Sequence, residues 1–396
     1  MDIRDNRLFL GGIAAEELVV RYGTPLYVYE AETIVRRYQD LIEHIPYRPL
    51  RIHYALKANS NPEVLRLLRR LGAGAETVSP GEIRLAKEAG FQEILFTCSY
   101  IGRAELHRAI EEGATVHLDS LAQIRHCGEI APGGRVSLRI NQGIGAGHHR
   151  HVVTGGAESK FGIPVAQLRE ALELAGEYRL NVVGLHQHIG SNILDERILL
   201  RAAEAQLATA RSVEGLEFID LGGGLGIPYR PEERPLDIRR FGAALAGRFE
   251  AFCREYGRPL TLILEPGRYL VGESGTLLAT VTDIKRIPER TFVGIDSGMN
   301  HLIRPALYGA YHEIVNASRV EGEREVACLV GNICESSDFF ARDRPLPLFR
   351  EGDIVAIRNV GAYGYTMSSQ YNTRPRPAEV LVERGQARLI RERETV

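Results

Sequence analysis

Between residues 50 and 265 the chain repeats one pattern: an apolar run of four to seven residues, a turn, then a stretch whose apolar positions recur with helical period. The runs cover 52–57, 73–79, 93–97, 115–119, 135–141, 182–188, 218–221 and 260–264, with 81–89, 104–111 and 165–175 among the helical stretches between them. Eight such units over about 240 residues match the strand number and length of a closed (β/α)8 barrel. After about residue 270 the pattern changes. Segments 276–284, 291–295, 326–330, 353–358, 378–382 and 387–390 read as β-strands separated by Gly, Pro and charged turns, with little helix. The expected fold class is therefore α/β plus all-β. A TIM-type (β/α)8 barrel spans 28–270, and a second β-barrel or sandwich domain is built from 1–27 and 271–396, to which the N-terminal strand 26–29 can add.

Composition narrows the partners. Lys and Arg number 49 against 51 Asp and Glu, a net charge of -2, so no global field favours nucleic acid or an anionic membrane, and a small-molecule partner is expected. No stretch approaches the roughly 18 apolar residues of a membrane span. The N-terminus lacks the basic and apolar segments of a secretory signal. Five widely spaced cysteines (Cys98, Cys127, Cys253, Cys328 and Cys334) form no CxxC pair, the pattern of reduced thiols in a cytoplasmic protein.

In a (β/α)8 barrel functional groups gather at the C-terminal ends of the strands. Lys57, His188, Gly222 to Gly224 and Glu265 all fall there. A lone lysine at a strand end is ordinarily solvated. Here it shares its end of the barrel with a glycine run whose backbone N–H groups can close around a phosphate, and with Glu265-Pro266-Gly267-Arg268. A reactive lysine, a phosphate cradle and a carboxylate together suit pyridoxal 5′-phosphate (PLP). The lysine makes the covalent link, a histidine stacks on the ring, and the carboxylate keeps the ring nitrogen protonated, which favours decarboxylation over racemisation. His186-Gln187-His188 puts two imidazoles at i and i+2, on one face of a strand, and leaves open a metal-dependent barrel hydrolase. The remaining strand ends offer a lysine, glycines and a glutamate instead of an obvious Asp/His set, so no metal is expected.

The motifs Tyr54-Ala55-Leu56-Lys57-Ala58-Asn59, His188-Ile189-Gly190-Ser191, Gly222-Gly223-Gly224-Leu225-Gly226, Glu265-Pro266-Gly267-Arg268, Arg304-Pro305-Ala306-Leu307-Tyr308, Cys334-Glu335-Ser336-Ser337-Asp338 and Gly361-Ala362-Tyr363 occur in the order seen in fold-type III PLP-dependent decarboxylases. The chain resembles that family over nearly its whole length, and within it the diaminopimelate decarboxylases. The resemblance implies that Lys57 holds PLP, His188 stacks on it and Glu265 binds its ring nitrogen. It places Ser191, Gly224, Gly267, Arg268 and Tyr363 around the phosphate or its approach. Arg268, Arg304, Tyr308, Glu335 and Tyr363 are then expected around the substrate, meso-2,6-diaminopimelate, which is converted to L-lysine and CO2. Cys334 is similar to the family's proton donor and, with Glu335, to residues contributed by a second subunit, so a homodimer with shared sites is implied. A decarboxylase of ornithine, lysine or a carboxylated polyamine is the alternative on the same fold. Glu76 departs from the family's usual Asp in the second strand and receives no role from the sequence. The loop 143–151, with His148, His149, Arg150 and His151, reads as a solvated lid or subsite loop.

Overall fold

Eight parallel strands, Leu50–Ala55, Gly74–Thr77, Ile94–Thr97, Thr115–Leu118, Arg135–Asn141, Asn181–His186, Phe218–Asp220 and Thr261–Leu264, pair each with the next, and the last pairs with the first through Leu264 and Ile52. These are the eight runs read from the sequence, closed into a barrel. The coordinates are a computed structural model that describes residues 2–97, 99–147, 156 and 159–395. Cys98, His148, His149, Arg150 and His151 lie outside the described residues. The chain forms two compact units, one of Arg37–Pro228 with Arg234–Tyr269 and the other of Met1–Arg36, Tyr229–Glu233 and Leu270–Val396.

Short polar signals place the barrel's helices. Asn61, Ser79, Ser120, Asp195 and Asp237 each accept a backbone N–H of the following first turn, which opens the helices Pro62–Arg70, Pro80–Ala89, Leu121–Ile130, Glu196–Ala210 and Ile238–Tyr256. In the second of these Glu82 also reaches back to the N–H of Val78 at 2.8 Å. Inside the barrel the strands pack in layers. Phe218 fills the lower interior because its register partner is Gly184, where a Cβ would stand 2.2 Å from the ring. The layer above is polar: Glu76, His117, Arg139, His186 and Asp220 are all buried there. His117 and His186 come from strands that are not neighbours, yet their rings stack with centroids 4.5 Å apart, a contact that only the interior permits.

The first barrel strand ends two residues earlier than its apolar pattern suggests. Pairing stops at Ala55, and Leu56–Ala58 form one 3-10 turn that carries Lys57 over the mouth. Tyr54 Oη donates to Asn59 O at 3.0 Å and the N–H of Ala55 bonds Pro266 O at 3.4 Å, so the turn is tied both to its own loop and to the Glu265 strand end. In the same way the sixth strand ends at His186, and His188 lies in the loop beyond it.

In the β unit, Leu26–Glu30 runs antiparallel to the start of Gly275–Ile287 and parallel to Ala378–Glu383. Ile354–Arg358 and Arg290–Ile295 pair with Gly275–Ile287 in turn. Leu8, Leu10, Leu18, Leu26, Val28, Leu278, Val380 and Val382 form part of its core. The sequence reading missed Phe339–Pro347. Its two prolines and three charged residues resemble a loop, but it is an edge strand paired on one side to Arg324–Val330, where proline is tolerated.

Candidate active site

The chain has four lysines, and three have ordinary surface settings. Lys87 pairs with Glu112, Lys160 lies over the rings of Tyr100 and Phe161, and Lys285 is exposed on its strand. Lys57 differs. Its Nζ donates to Glu76 Oε2 at 2.5 Å, and that carboxylate is buried while the amine is about one-third exposed. Burial pushes the Glu76 carboxyl upward, opposed by the Lys57 charge beside it. Glu82 lies near the same pair and is pushed up to about 7 by burial and by the Glu76 charge. Glu76 thus has a clear position that sequence reasoning left unassigned. The available signal was that it is the single charged residue of an apolar run, on the inward side of the period-two alternation.

The two imidazoles of His186-Gln187-His188 serve different partners. His186 Nε2 lies 3.1 Å from Glu265 Oε2 inside the barrel. His188 Nδ1 accepts the N–H of Gly223 at 3.1 Å, which places the ring proton on Nε2. Burial holds both rings well below the usual histidine range, and the Lys57 and Arg139 charges push in the same direction, so both are neutral. A shared metal on this pair is not what the geometry builds. Among the described residues a different set, His117, Asp220 and Glu265, has ligand-type atoms within 4.8 Å of one another; Asp220 Oδ1 accepts the N–H of Gly222 at 2.8 Å and its Oδ2 stands 3.7 Å from His117 Nε2.

The glycine run threads between two strand ends with no room for side chains. A Cβ at Gly223 would stand 2.4 Å from Glu265 O, and one at Gly224, whose φ is +100°, would stand 2.9 Å from Gly190 O. Gly267 packs where a Cβ would meet those of Ala58 and Ala55 at 3.0 and 3.2 Å, directly behind the Lys57 turn. Buried Arg268 donates to Ser191 Oγ at 3.1 Å. The barrel unit therefore brings Lys57, His188, Ser191, Gly224, Glu265, Gly267 and Arg268 to one rim.

Arg304, Tyr308, Cys334, Glu335 and Tyr363 belong to the β unit. Arg304 opens the short helix Arg304–Tyr308, which Gly309 ends, and it is almost wholly buried. Its guanidinium donates to His312 Nε2 at 3.0 Å and sits 4.6 Å from the Tyr229 ring centroid, while His312 Nδ1 bonds Arg358 O at 2.8 Å. Those two bonds fix the His312 tautomer and so the direction of the guanidinium. His312 is a supporting residue that no motif announced. Cys334 and Glu335 are exposed on a turn that Asp338 organises, its carboxylate accepting the N–H groups of Ile333 at 2.8 Å and Met299 at 2.6 Å. Tyr363 holds a left-handed backbone at φ +57°.

PLP presents an aldehyde, a phosphate and a ring nitrogen, and the barrel rim offers a match for each. Lys57 supplies an amine at the mouth. The glycine run, whose Gly222 and Gly223 N–H groups bond Asp220 Oδ1 and His188 Nδ1, brings the backbone of Gly224 to the rim with no Cβ in the way. Glu265 supplies a buried carboxylate whose Oε1 takes no hydrogen bond from a protein N–H or O–H. The residues present fit the group.

This fold is that of the pyridoxal-dependent decarboxylases, and residues 31–272 match the family described as "Pyridoxal-dependent decarboxylase, pyridoxal binding domain". A diaminopimelate decarboxylase of Methanothermobacter thermautotrophicus is 47% identical over 98% of this chain and 93% of its own length. A solved diaminopimelate decarboxylase from M. jannaschii superposes with a TM-score of 0.93 at 37% identity, covering 100% of this chain and 95% of that one. The Helicobacter pylori enzyme, solved in complex with L-lysine, gives 0.89 at 36% identity over 96% of each chain. The chain belongs to the diaminopimelate decarboxylase family.

The buried histidines impose a pH dependence on stability. His53 is held down to about 3, first by burial and then by the Arg51 charge, so the folded state keeps it neutral while the unfolded chain protonates it near 6.5. The unfolded state binds the extra proton, and stability falls as pH drops below about 6.5. Urea unfolding of His53→Gln should lose about 2 kcal/mol less stability than the parent between about pH 7 and pH 5. An unchanged pH dependence would mean that His53 is not kept neutral by the fold.

Proposed function

We infer that the protein decarboxylates meso-2,6-diaminopimelate at its D-centre, releasing CO2 and L-lysine. The observation that carries this is full-length identity of 47% to a relative named for that activity, on a barrel whose rim fits PLP. Lys57 would hold the cofactor and Glu265 would take its ring nitrogen. His188, a neutral ring tied to Gly223, would lie against the ring face. Ser191, Gly224, Gly267, Arg268 and Tyr363 would surround the phosphate or its approach. Bound PLP supplies an electron sink for the carbanion left when CO2 departs.

The chain's own residues then do the selecting and the proton transfer. Arg268 and Arg304 would bind the distal carboxylate with a guanidinium pair, and Tyr308, Tyr363 and Glu335 would complete the substrate's surroundings, Glu335 accepting the distal ammonium. Arg304 is already oriented by His312 and Tyr229 in the free protein, so little freedom is lost when a carboxylate arrives. A decarboxylase of ornithine or lysine, whose substrates lack that carboxylate, has no use for a buried guanidinium held in this way. Cys334 would deliver the proton to the carbon that lost CO2. Its exposure, with that of Glu335, is consistent with a homodimer in which each turn completes the partner's site. Among the described residues Cys127, Cys253, Cys328 and Cys334 are unpaired thiols, and no helix is long and apolar enough to cross a membrane, which supports a cytoplasmic setting.

With purified protein and added PLP, meso-diaminopimelate should yield L-lysine and CO2 in equal amounts. Arg304→Ala should lower kcat/KM for it by about a hundredfold. Unchanged kinetics would remove Arg304 from substrate binding, and turnover of ornithine in place of diaminopimelate would replace the substrate assignment. Lys57→Ala and Cys334→Ala should each be inactive alone, whereas a dissociated and reassembled equal mixture should recover about a quarter of the sites. Full activity of Cys334→Ala would end its role as proton donor, and no recovery in the mixture would place the two residues in the same subunit's site.

A further inference from the structure

Below the barrel mouth two buried carboxyl groups lie close together. Asp220 and Glu265 close adjacent strands, both are buried, and their oxygens lie within 4.8 Å of one another in a cluster with His117. Each group has one oxygen satisfied from elsewhere: Asp220 Oδ1 accepts the N–H of Gly222 at 2.8 Å, and Glu265 Oε2 lies 3.1 Å from His186 Nε2. The other two, Asp220 Oδ2 and Glu265 Oε1, receive no protein N–H or O–H. Two acceptors buried together are satisfied by one shared proton, whereas two buried charges of the same sign so close would repel.

The surroundings agree on charge. The titratable groups facing this cluster are Lys57, Glu76, Arg139, His53, His117, His186 and His188. The histidines are neutral, each held down chiefly by burial. That leaves two cations against three carboxyls, and Arg139 also faces Asp119. Burial, then the Glu265 charge, pushes Asp220 well above the usual carboxylate range. His117 is a poor ionic partner for it, since its Nε2 stands 3.7 Å from Asp220 Oδ2, beyond hydrogen-bond distance.

We propose that Asp220 acts as a neutral carboxylic acid and a positioning residue, donating its proton to Glu265 while accepting the N–H of Gly222, so that one side chain fixes both the cofactor carboxylate and the glycine run. The proposal rests on the reading of Glu265 as the partner of the PLP ring nitrogen. The carboxylate can accept about four hydrogen bonds, so bonds from Asp220 and His186 orient it and still leave capacity for the ring N–H. Asp220 would act on the glycine run through Gly222 and on the ring nitrogen's partner through Glu265, which makes it a positioning residue.

Asparagine is nearly isosteric with the neutral acid, since its amide donates where the acid proton does and its oxygen accepts where Oδ1 does. Infrared difference spectra of the cofactor-free protein at about pH 7 should show the carbonyl band of a protonated carboxylic acid that disappears in Asp220→Asn and persists in Glu76→Gln and in Glu82→Gln, the other carboxyl raised into this range. Asp220→Asn should bind PLP with a Kd within about threefold of the parent, while Asp220→Leu, which provides neither bond, should weaken it by about tenfold to a hundredfold. No difference band, or an Asn variant as impaired in PLP binding as the Leu variant, would overturn the neutral-acid role. If Glu265→Ala binds PLP as tightly as the parent, the cofactor reading of Glu265 fails by itself, because the infrared result does not depend on it.

Discussion

The ion pair between Lys57 and Glu76 sets the terms for the rest of the barrel mouth. A carboxylate placed inside an apolar barrel is held there at a desolvation penalty of several kcal/mol unless a cation and hydrogen bonds compensate it. Lys57 supplies the cation from a 3-10 turn and leaves its amine partly open to the outside. With that pair in place the remaining interior groups have few charges left to share. The histidines stay neutral, and each takes a fixed tautomer or stacking partner: His188 against Gly223, and His186 against Glu265 and the ring of His117. The chemistry expected of the site, a lysine at the mouth with a carboxylate and a glycine cradle around it, is built on this layer of buried polar groups.

The β unit prepares its own groups by other means. Arg304 is held through a buried histidine whose far nitrogen is anchored on a backbone carbonyl, so orientation comes from a chain of two hydrogen bonds. Cys334 and Glu335 sit on an exposed turn, and its shape is kept by Asp338 collecting backbone N–H groups beneath it. A guanidinium held rigidly and a thiol left accessible make different demands on the backbone, and the two local structures meet them separately.

Much of this was legible in the chain. All eight barrel strands follow from apolar periodicity, because a strand buried on both faces must be apolar nearly throughout. Lys57, Glu265 and the glycine run follow from their positions at strand ends. What periodicity hides is the inward polar layer. Glu76, His117 and Asp220 sit in short apolar runs where a single polar residue looks like an incidental surface position, and only closure of the barrel shows that they face one another. The ends of the first and sixth strands were read two residues long, since Lys57 and His188 continue the alternation after the backbone has left the ladder. Phe339–Pro347 was hidden by its prolines, and His312 by its distance from any motif.

The proposed function depends on one lysine, selected by its place on the barrel and its buried carboxylate partner, to carry the cofactor. With four lysines in the chain, borohydride reduction of the PLP-loaded protein followed by peptide mass mapping tests it directly. The expected result is a pyridoxyl group on the peptide containing Lys57, with Lys87, Lys160 and Lys285 unmodified. Stoichiometric labelling of any of those three with Lys57 untouched would contradict it.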